Sequence, residues 1–311
     1  MSGIITKEIA EQFLTDIDSV LPSRKDAADL KNFTSLTDDA AEPLSRIKDN
    51  LDLSGLTEIS VEAATSLSDH KGNPSDSGFS KFKRGLYLDG LTKISSEVAA
   101  SLSKHKGESL WLQGLTEISE EVAESLSEYE GSLILAGLDK LSEGVATSLA
   151  KNQGTDLDLS GLTELSEEAA ISLAKHQGTS LDLSGLTEIS DTVAESLSKH
   201  QGNLALNGLT SLTDFAAVSL SKVQSLNVEG INLTSLSDAA AKSLDRSDVY
   251  TAKDALARKK VIDEWNKQQS LEKKKIIDEW NKQPNGGCLS LIVIGLTASF
   301  LLGRAITALV N

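Results

Sequence analysis

A ten-residue pattern, L-x-L-x-G-L-x-x-[IL]-S, recurs along this chain and decides what it can fold into. It begins at Leu51 as L-D-L-S-G-L-T-E-I-S. It returns in near register at Leu86, Leu110, Leu133, Leu157, Leu181, Leu204 and Leu226, at spacings of 35, 24, 23, 24, 24, 23 and 22 residues. A weaker copy precedes it over residues 30–44, where Thr34-Ser35-Leu36-Thr37 matches Thr57-Glu58-Ile59-Ser60. About nine units therefore fill residues 28–246.

Each unit reads as a strand, a turn and a helix. L-x-L alternates with period two, which puts both leucines on one face of a short strand. Gly55, Gly90, Gly114, Gly137, Gly161, Gly185 and Gly208 mark the turn. Ser60, Ser95, Ser119, Ser142, Ser166 and Ser190, and Thr213 in one unit, stand at the helix N-cap. Acids such as Glu120-Glu121 and Glu167-Glu168 follow in the first turn, where the helix dipole favours them. Gly72, Gly107, Gly131, Gly154, Gly178 and Gly202 come after the helices and suit a left-handed C-cap. A single unit cannot bury its own apolar face. Stacked units bury it against one another, giving a continuous ladder of Leu and Ala. Small Ser residues before the helix Leu, such as Ser101, Ser148 and Ser196, let neighbouring helices approach. A core this thin has little room for large rings, in keeping with an aromatic content of 4%.

These units resemble bacterial leucine-rich repeats, which have a period of about 20–29 residues and build a strand-lined solenoid. The resemblance covers about 70% of the chain. It implies an α/β strand–helix solenoid. The family's inward Asn is absent from most units, where leucine stands close to its place. The last unit, Leu226-Asn227-Val228-Glu229-Gly230-Ile231-Asn232-Leu233, comes nearer the usual form.

Residues 1–27 read as an N-terminal cap. Ile5, Ile9, Phe13, Ile17 and Val20 fall at helical spacing, predicting an amphipathic helix from Thr6 to Val20 that covers the first open repeat. Pro43 is read as an interruption of the degenerate first unit. The second unit carries an insertion over residues 73–84 that includes Phe79, Lys81, Phe82, Lys83 and Arg84, the one basic, aromatic spot in an acidic domain.

After residue 246 the composition changes. Residues 247–285 read as a charged helical stalk with a 15-residue duplication, seen in Val261-Ile262-Asp263-Glu264-Trp265 and Ile276-Ile277-Asp278-Glu279-Trp280. Residues 286–311 read as a transmembrane helix. The 22 residues 289–310 span about 33 Å as a helix, against a hydrocarbon core of about 30 Å. Arg304 is the only charge there, close enough to the end to snorkel. The alternative is an apolar helix buried on the solenoid's open end. Residues 1–20 lack an apolar signal stretch. Lys273, Lys274, Lys275 and Lys282 precede the span, so the repeat domain is expected in the cytoplasm, as in a tail-anchored protein. Gly295, Ser299, Gly303 and Thr307 make a small-residue stripe for helix–helix association and a homo-oligomer. Cys288, the only cysteine, excludes a disulfide within the chain; it reads as an apolar thiol at the helix start, with acylation at the membrane boundary the alternative.

The chain carries a net charge of −16, with ten basic and seven acidic residues in 247–311, leaving −19 on residues 1–246. That balance argues against broad nucleic-acid binding, which needs a basic footprint. His70, His105, His176 and His200 share one repeat position, which Tyr129 and Asn152 fill in other units. Helices stacked about 8–10 Å apart would keep these rings from converging on a metal. The sequence favours a structural role, a cation-capable ring at a helix C-terminus. Asp158 and Asp182 fall at one strand position in adjacent units, either as a carboxylate pair or as part of a solvated acidic face. No convergent polar site, cofactor or metal is implied, and the chain is expected to be non-enzymatic.

The middle residues of L-x-L point away from the core. Three consecutive units place Tyr87, Trp111 and Ile134 there, flanked by Asp89 and Gln113. Clustered aromatic side chains on a surface mark interaction sites. The expectation is a membrane-anchored scaffold that binds a protein partner on this face. Cross-strand stacking that only stabilises the sheet is the plainer reading of the same residues. A protein acting through self-association of its C-terminal helix is the alternative function.

Overall fold

L-x-L triplets pair in register, leucine on leucine, because each repeat presents the same apolar face to the next. In the computed structural model, residues 3–19, 30–71, 85–228 and 236–246 are described, with Lys267, Ser270, Leu271 and Lys274 in the tail. Strands β1 (Gly3–Ile5) and β2 (Phe33–Leu36) form a parallel pair. Strands β3 (Leu51–Asp52), β4 (Gly85–Tyr87), β5 (Ser109–Trp111), β6 (Ser132–Ile134), β7 (Asp156–Asp158), β8 (Ser180–Asp182), β9 (Asn203–Ala205) and β10 (Ser225–Asn227) follow. These eight make one parallel sheet in sequence order. Leu86, Leu110 and Leu133 align across β4 to β6, and Leu157, Leu181 and Leu204 across β7 to β9. A parallel sheet in which each strand is followed by a helix is an α/β solenoid, as the repeats predict.

The helices are α1 (Lys7–Ser19), α2 (Asp38–Ser45), α3 (Val61–Leu67), α4 (Ser96–Leu102), α5 (Glu120–Leu126), α6 (Glu143–Leu149), α7 (Glu167–Leu173), α8 (Asp191–Leu197), α9 (Asp214–Leu220) and α10 (Asp238–Arg246). From α3 to α9 each has seven residues, too short to persist alone. Packing and caps hold them. Every predicted N-cap is confirmed: Ser60, Ser95, Ser119, Ser142, Ser166, Ser190 and Thr213 each accept the backbone N–H three residues on. At α7 the Ala169 N–H donates to Ser166 Oγ at 3.1 Å. Ser166→Ala should lower stability by about 1 kcal/mol and Ser166→Asp should retain it, as read from urea midpoints.

The core follows the ladder. In the Leu110 unit, Leu110, Leu112, Leu115, Ala123 and Leu126 are all fully buried, and each neighbouring unit repeats the set. The small Ser residues predicted between helices lie in that contact. Ser101, Ser148, Ser172, Ser196 and Ser219 are buried. Ser101 and Ser172 also meet Thr65 and Thr147 of the preceding unit, hydroxyl to hydroxyl, at 2.9 Å.

The glycines serve differently from the sequence expectation. The helices α3 to α9 end in right-handed Ser or Ala caps, Ser68, Ser103, Ser127, Ala150, Ala174, Ser198 and Ser221. Gly131, Gly154, Gly178 and Gly202 are not left-handed. They and the turn glycines are selected by close approach between units. A Cβ on Gly137 would sit 1.8 Å from the Gln113 carbonyl oxygen, and one on Gly161 2.0 Å from that of Ala136.

The N-terminal segment holds more than a cap helix. Helix α1 is preceded by β1, whose Ile5 is fully buried, so the chain opens with its own strand–helix unit. Strand β2 lies in the stretch that matches Thr57-Glu58-Ile59-Ser60, on the side leading into the helices. There the Thr57 N–H donates to Thr34 O at 3.1 Å and the Thr210 N–H to Thr187 O at 3.1 Å. Pro43 does not interrupt its unit. It is buried inside α2.

The chain divides into two units, Met1–Leu256 and Ala257–Asn311. The insertion 73–84, the stalk apart from Lys267, Ser270, Leu271 and Lys274, Cys288 and the apolar segment with Gly295, Ser299 and Gly303 lie outside the described residues. Among the described residues no helix is long and apolar enough to cross a membrane.

Candidate partner-binding face

Strands β4, β5 and β6 carry the aromatic row. The register sets Asp52, Tyr87, Trp111, Ile134, Asp158 and Asp182 side by side along the outer face of the sheet. Tyr87 and Trp111 stack with ring centroids 4.9 Å apart and planes 22° from parallel. Parallel strands at about 4.8 Å fix that spacing. Both rings are half-buried, and Gln113 beside them is exposed. Ile134 corrects the expectation: it is only 2% exposed. Its register position, between the Trp111 indole and Asp158, encloses it rather than presenting it.

The rings lie back along their own strands. The Trp111 Nε1–H donates to Ser109 Oγ at 2.9 Å. A Cβ on Gly85 would lie 2.9 Å from the Tyr87 ring. Gly85, Ser109 and Ser132 thus form a buried floor under the row. The sequence signal for this was available: a small residue two before each large one. Below the row, the Gly85 N–H donates to Asn50 Oδ1 and the Ser132 hydroxyl to Asp156 Oδ2, both at 2.9 Å.

The carboxylates of this face are tied into turns. Asp52, Asp158 and Asp182 each accept the backbone N–H of the Ser two residues on, Ser54, Ser160 and Ser184, at 2.8–3.0 Å. That bond explains D-L-S as a turn motif. It also assigns Asp158 and Asp182, though paired in register, to separate turns. Asp89 accepts the Gln113 N–H of the next unit at 3.0 Å. Burial raises its pKa above the usual carboxylate range, the Gln113 bond opposes that, and the nearby Asp52 charge adds to it. Burial first, then the charges of Asp52 and Asp89, push the Tyr87 hydroxyl up. Among the described residues no ion pair involves Asp52 or Asp89.

The histidines form a second row, at the turns between helix and strand. His70 and His105 stack at 5.5 Å with planes 1° apart, His105 and Tyr129 at 6.0 Å, and His176 and His200 at 5.9 Å. This is closer than helix spacing allows, because the residues stand where the chain is already entering the sheet. Parallel rings keep their lone pairs side by side rather than converging on one point, which does not suit a shared metal ion. The row reaches back to the preceding unit's backbone. The His70 Nε2–H donates to Asp49 O at 2.8 Å, the Tyr129 hydroxyl to Gly107 O at 3.0 Å, and Asn152 Nδ2 to Tyr129 O at 2.7 Å. All four histidines are buried, at most 5% exposed. The expected cation at a helix C-terminus is therefore wrong in kind, since burial pulls the pKa of His70, His176 and His200 down and keeps the rings neutral. Repeated ring-x-Gly at one unit position was the legible signal.

An open groove of about 860 Å³ runs along these turns, lined by Lys104, Lys106, Glu108, Glu128, Glu130 and Asp156 among others. Its charges are mixed. Lys106 pairs with Asp69 and Lys151 with Glu124, surface pairs that join successive units. The chain is thus a parallel strand–helix repeat protein with two side-chain rows, one aromatic on the outer sheet face and one of buried polar rings. No protein-family model matches it, and no curated protein does.

Proposed function

We propose that this chain is a non-enzymatic scaffold of leucine-rich-repeat type, held on a membrane by residues 286–311, with its repeat domain on the cytoplasmic side. A protein partner docks on the outer sheet face at Tyr87, Trp111, Asp89 and Gln113. The observation that carries this reading is the stacked, half-exposed Tyr87–Trp111 pair beside carboxylates with no described ion pair. Half-exposed aromatic anchors with a polar rim are the usual composition of a binding hot spot. Ile134, buried beside Trp111 in the register, is left out of the docking set. The apolar run 289–310 supports the anchor, and the lysines before it support the orientation.

The test is retention of co-purifying proteins by full-length chain in detergent. Tyr87→Ala with Trp111→Ala should lose a specific partner that the parent retains, with the helical circular-dichroism signal unchanged. Retention of every partner overturns the docking site. Deleting residues 286–311 should move the protein from carbonate-resistant membranes to the soluble fraction with partner binding kept. Loss of binding on that deletion favours self-association of the C-terminal helix as the function.

A further inference from the structure

We propose that the slot between Asp52 and Tyr87 binds a cationic side chain, so that the partner presents a Lys/Arg-rich segment to this face; the proposal rests on the strand-face reading above. Tyr87 has one ring face against Trp111. On the opposite side the register supplies Asp52, whose carboxylate accepts the Ser54 backbone N–H. Asp52 is exposed and Tyr87 half-buried, so the second face of the Tyr87 ring lies toward a short, solvent-facing carboxylate. Asp52 closes one side, and Asp89 stands within charge reach of both Asp52 and the Tyr87 hydroxyl. A cation over an aromatic face with carboxylates at the edge satisfies both attractions at once. Asp89 supplies the asymmetry. Its carboxylate is half-buried against a like charge, so an incoming cation relieves a repulsion already present in the free protein. Charge at longer range agrees, with −19 on residues 1–246 steering a basic segment toward the domain.

The same −19 would attract any polycation, so the test must separate the slot from the field. The probe is a fluorescein-labelled heptalysine peptide, and the readout is anisotropy with the full-length chain in detergent at about 0.15 M salt. Tyr87→Leu, which leaves the charge unchanged, should weaken binding about five- to ten-fold. Tyr87→Phe, which keeps the ring, should bind like the parent. Asp52→Asn with Asp89→Asn should weaken binding more than Asp158→Asn with Asp182→Asn, although each pair removes two charges and each Asn can still accept the backbone N–H its Asp holds. Equal losses from the two pairs, with Tyr87→Leu binding like the parent, would show polyelectrolyte attraction alone and overturn the slot. If Tyr87→Leu loses heptalysine binding while Tyr87→Phe retains it, misfolding is not the cause and the slot stands. If Tyr87→Ala with Trp111→Ala loses the co-purifying partner but Tyr87→Leu still binds heptalysine, the face remains a docking surface and the cationic assignment falls.

Discussion

Gly137→Ala is expected to destabilise the repeats around it by about 3 kcal/mol, while Gly144→Ala in the same unit is expected to stabilise them by about 0.5–1 kcal/mol. The two glycines offer an added methyl the same nominal clearance. At Gly137 the nearest atom would be the Gln113 carbonyl oxygen at 1.8 Å, followed by Gln113 C and Leu115 O at 2.8 Å. All three are backbone of the preceding unit, and that backbone is fixed by the sheet. The Leu112 N–H donates to Ile134 O at 3.0 Å and the Leu115 N–H to Leu112 O at 3.2 Å. Making room means prising adjacent units apart, and each neighbour is packed against the next. At Gly144 the nearest atoms are Glu120 Oε1 at 1.8 Å and Glu120 Cδ at 2.1 Å, the far end of an exposed, flexible side chain that can swing away. What remains there is the helix-propensity gain of Ala over Gly in α6. Urea midpoints of the two variants should lie on opposite sides of the parent. A Gly137→Ala midpoint within error of the parent would show that the inter-unit contact is looser than the geometry states.

Why the sequence shows some of this and hides the rest follows from where each feature's partners lie. The strand–helix unit is legible because its causes are local. L-x-L supplies the pleat, Ser60 and its equivalents cap within three residues, and the Ala-Leu spacing faces one way. Features whose partners sit one unit away are less legible. Gly137 looks like a turn glycine until Gln113 O is seen over it. His176 looks like a helix-terminal cation until His200 is stacked on it. Ile134 looks exposed by alternation, and alternation is right about its direction. Only the register reveals that Trp111 and Asp158 flank it. A repeat makes even these features readable in retrospect, because a residue recurring at one unit position lies beside its own copies. Strand β1 carried only a fragment of the pattern. Ile5-Thr6 falls where Leu36-Thr37 and Ile59-Ser60 stand, and Ile5 pairs with Leu36, but no L-x-L-x-G precedes it to mark the unit.

Acid should loosen the solenoid through the buried histidines before it acts through most carboxylates. The unfolded chain carries histidines that protonate near pH 6.5. In the fold, His176 is held down to about 4, by burial first and then by the charge of His200. His200 is lowered by burial against the opposing backbone of Asn203 and Ala174. His70 is lowered by burial against its bond to Asp49 O and the Asp49 charge. The sign follows from proton counts: between about pH 6.5 and pH 4 the unfolded state binds more protons at His176 than the fold does, and His70 and His200 shift in the same direction. Stability contributed by the neutral rings is therefore whole above pH 6.5 and is lost as pH falls through that window, with no further loss from His176 below about 4. The chain itself supplies the control. Asn152 already fills the same unit position, donating to Ser127 O and Tyr129 O of the preceding unit and accepting the Gly154 N–H, with nothing to titrate. His176→Asn with His200→Asn should hold the row together at neutral pH and flatten the fall in urea midpoint between pH 7 and pH 5. Carboxylate titration is common to both proteins and cancels in the difference. Parallel decline of parent and variant would mean the rings take up protons without opening the row. A variant that holds its midpoint at pH 5 while the parent loses it assigns the acid sensitivity to this stack of rings.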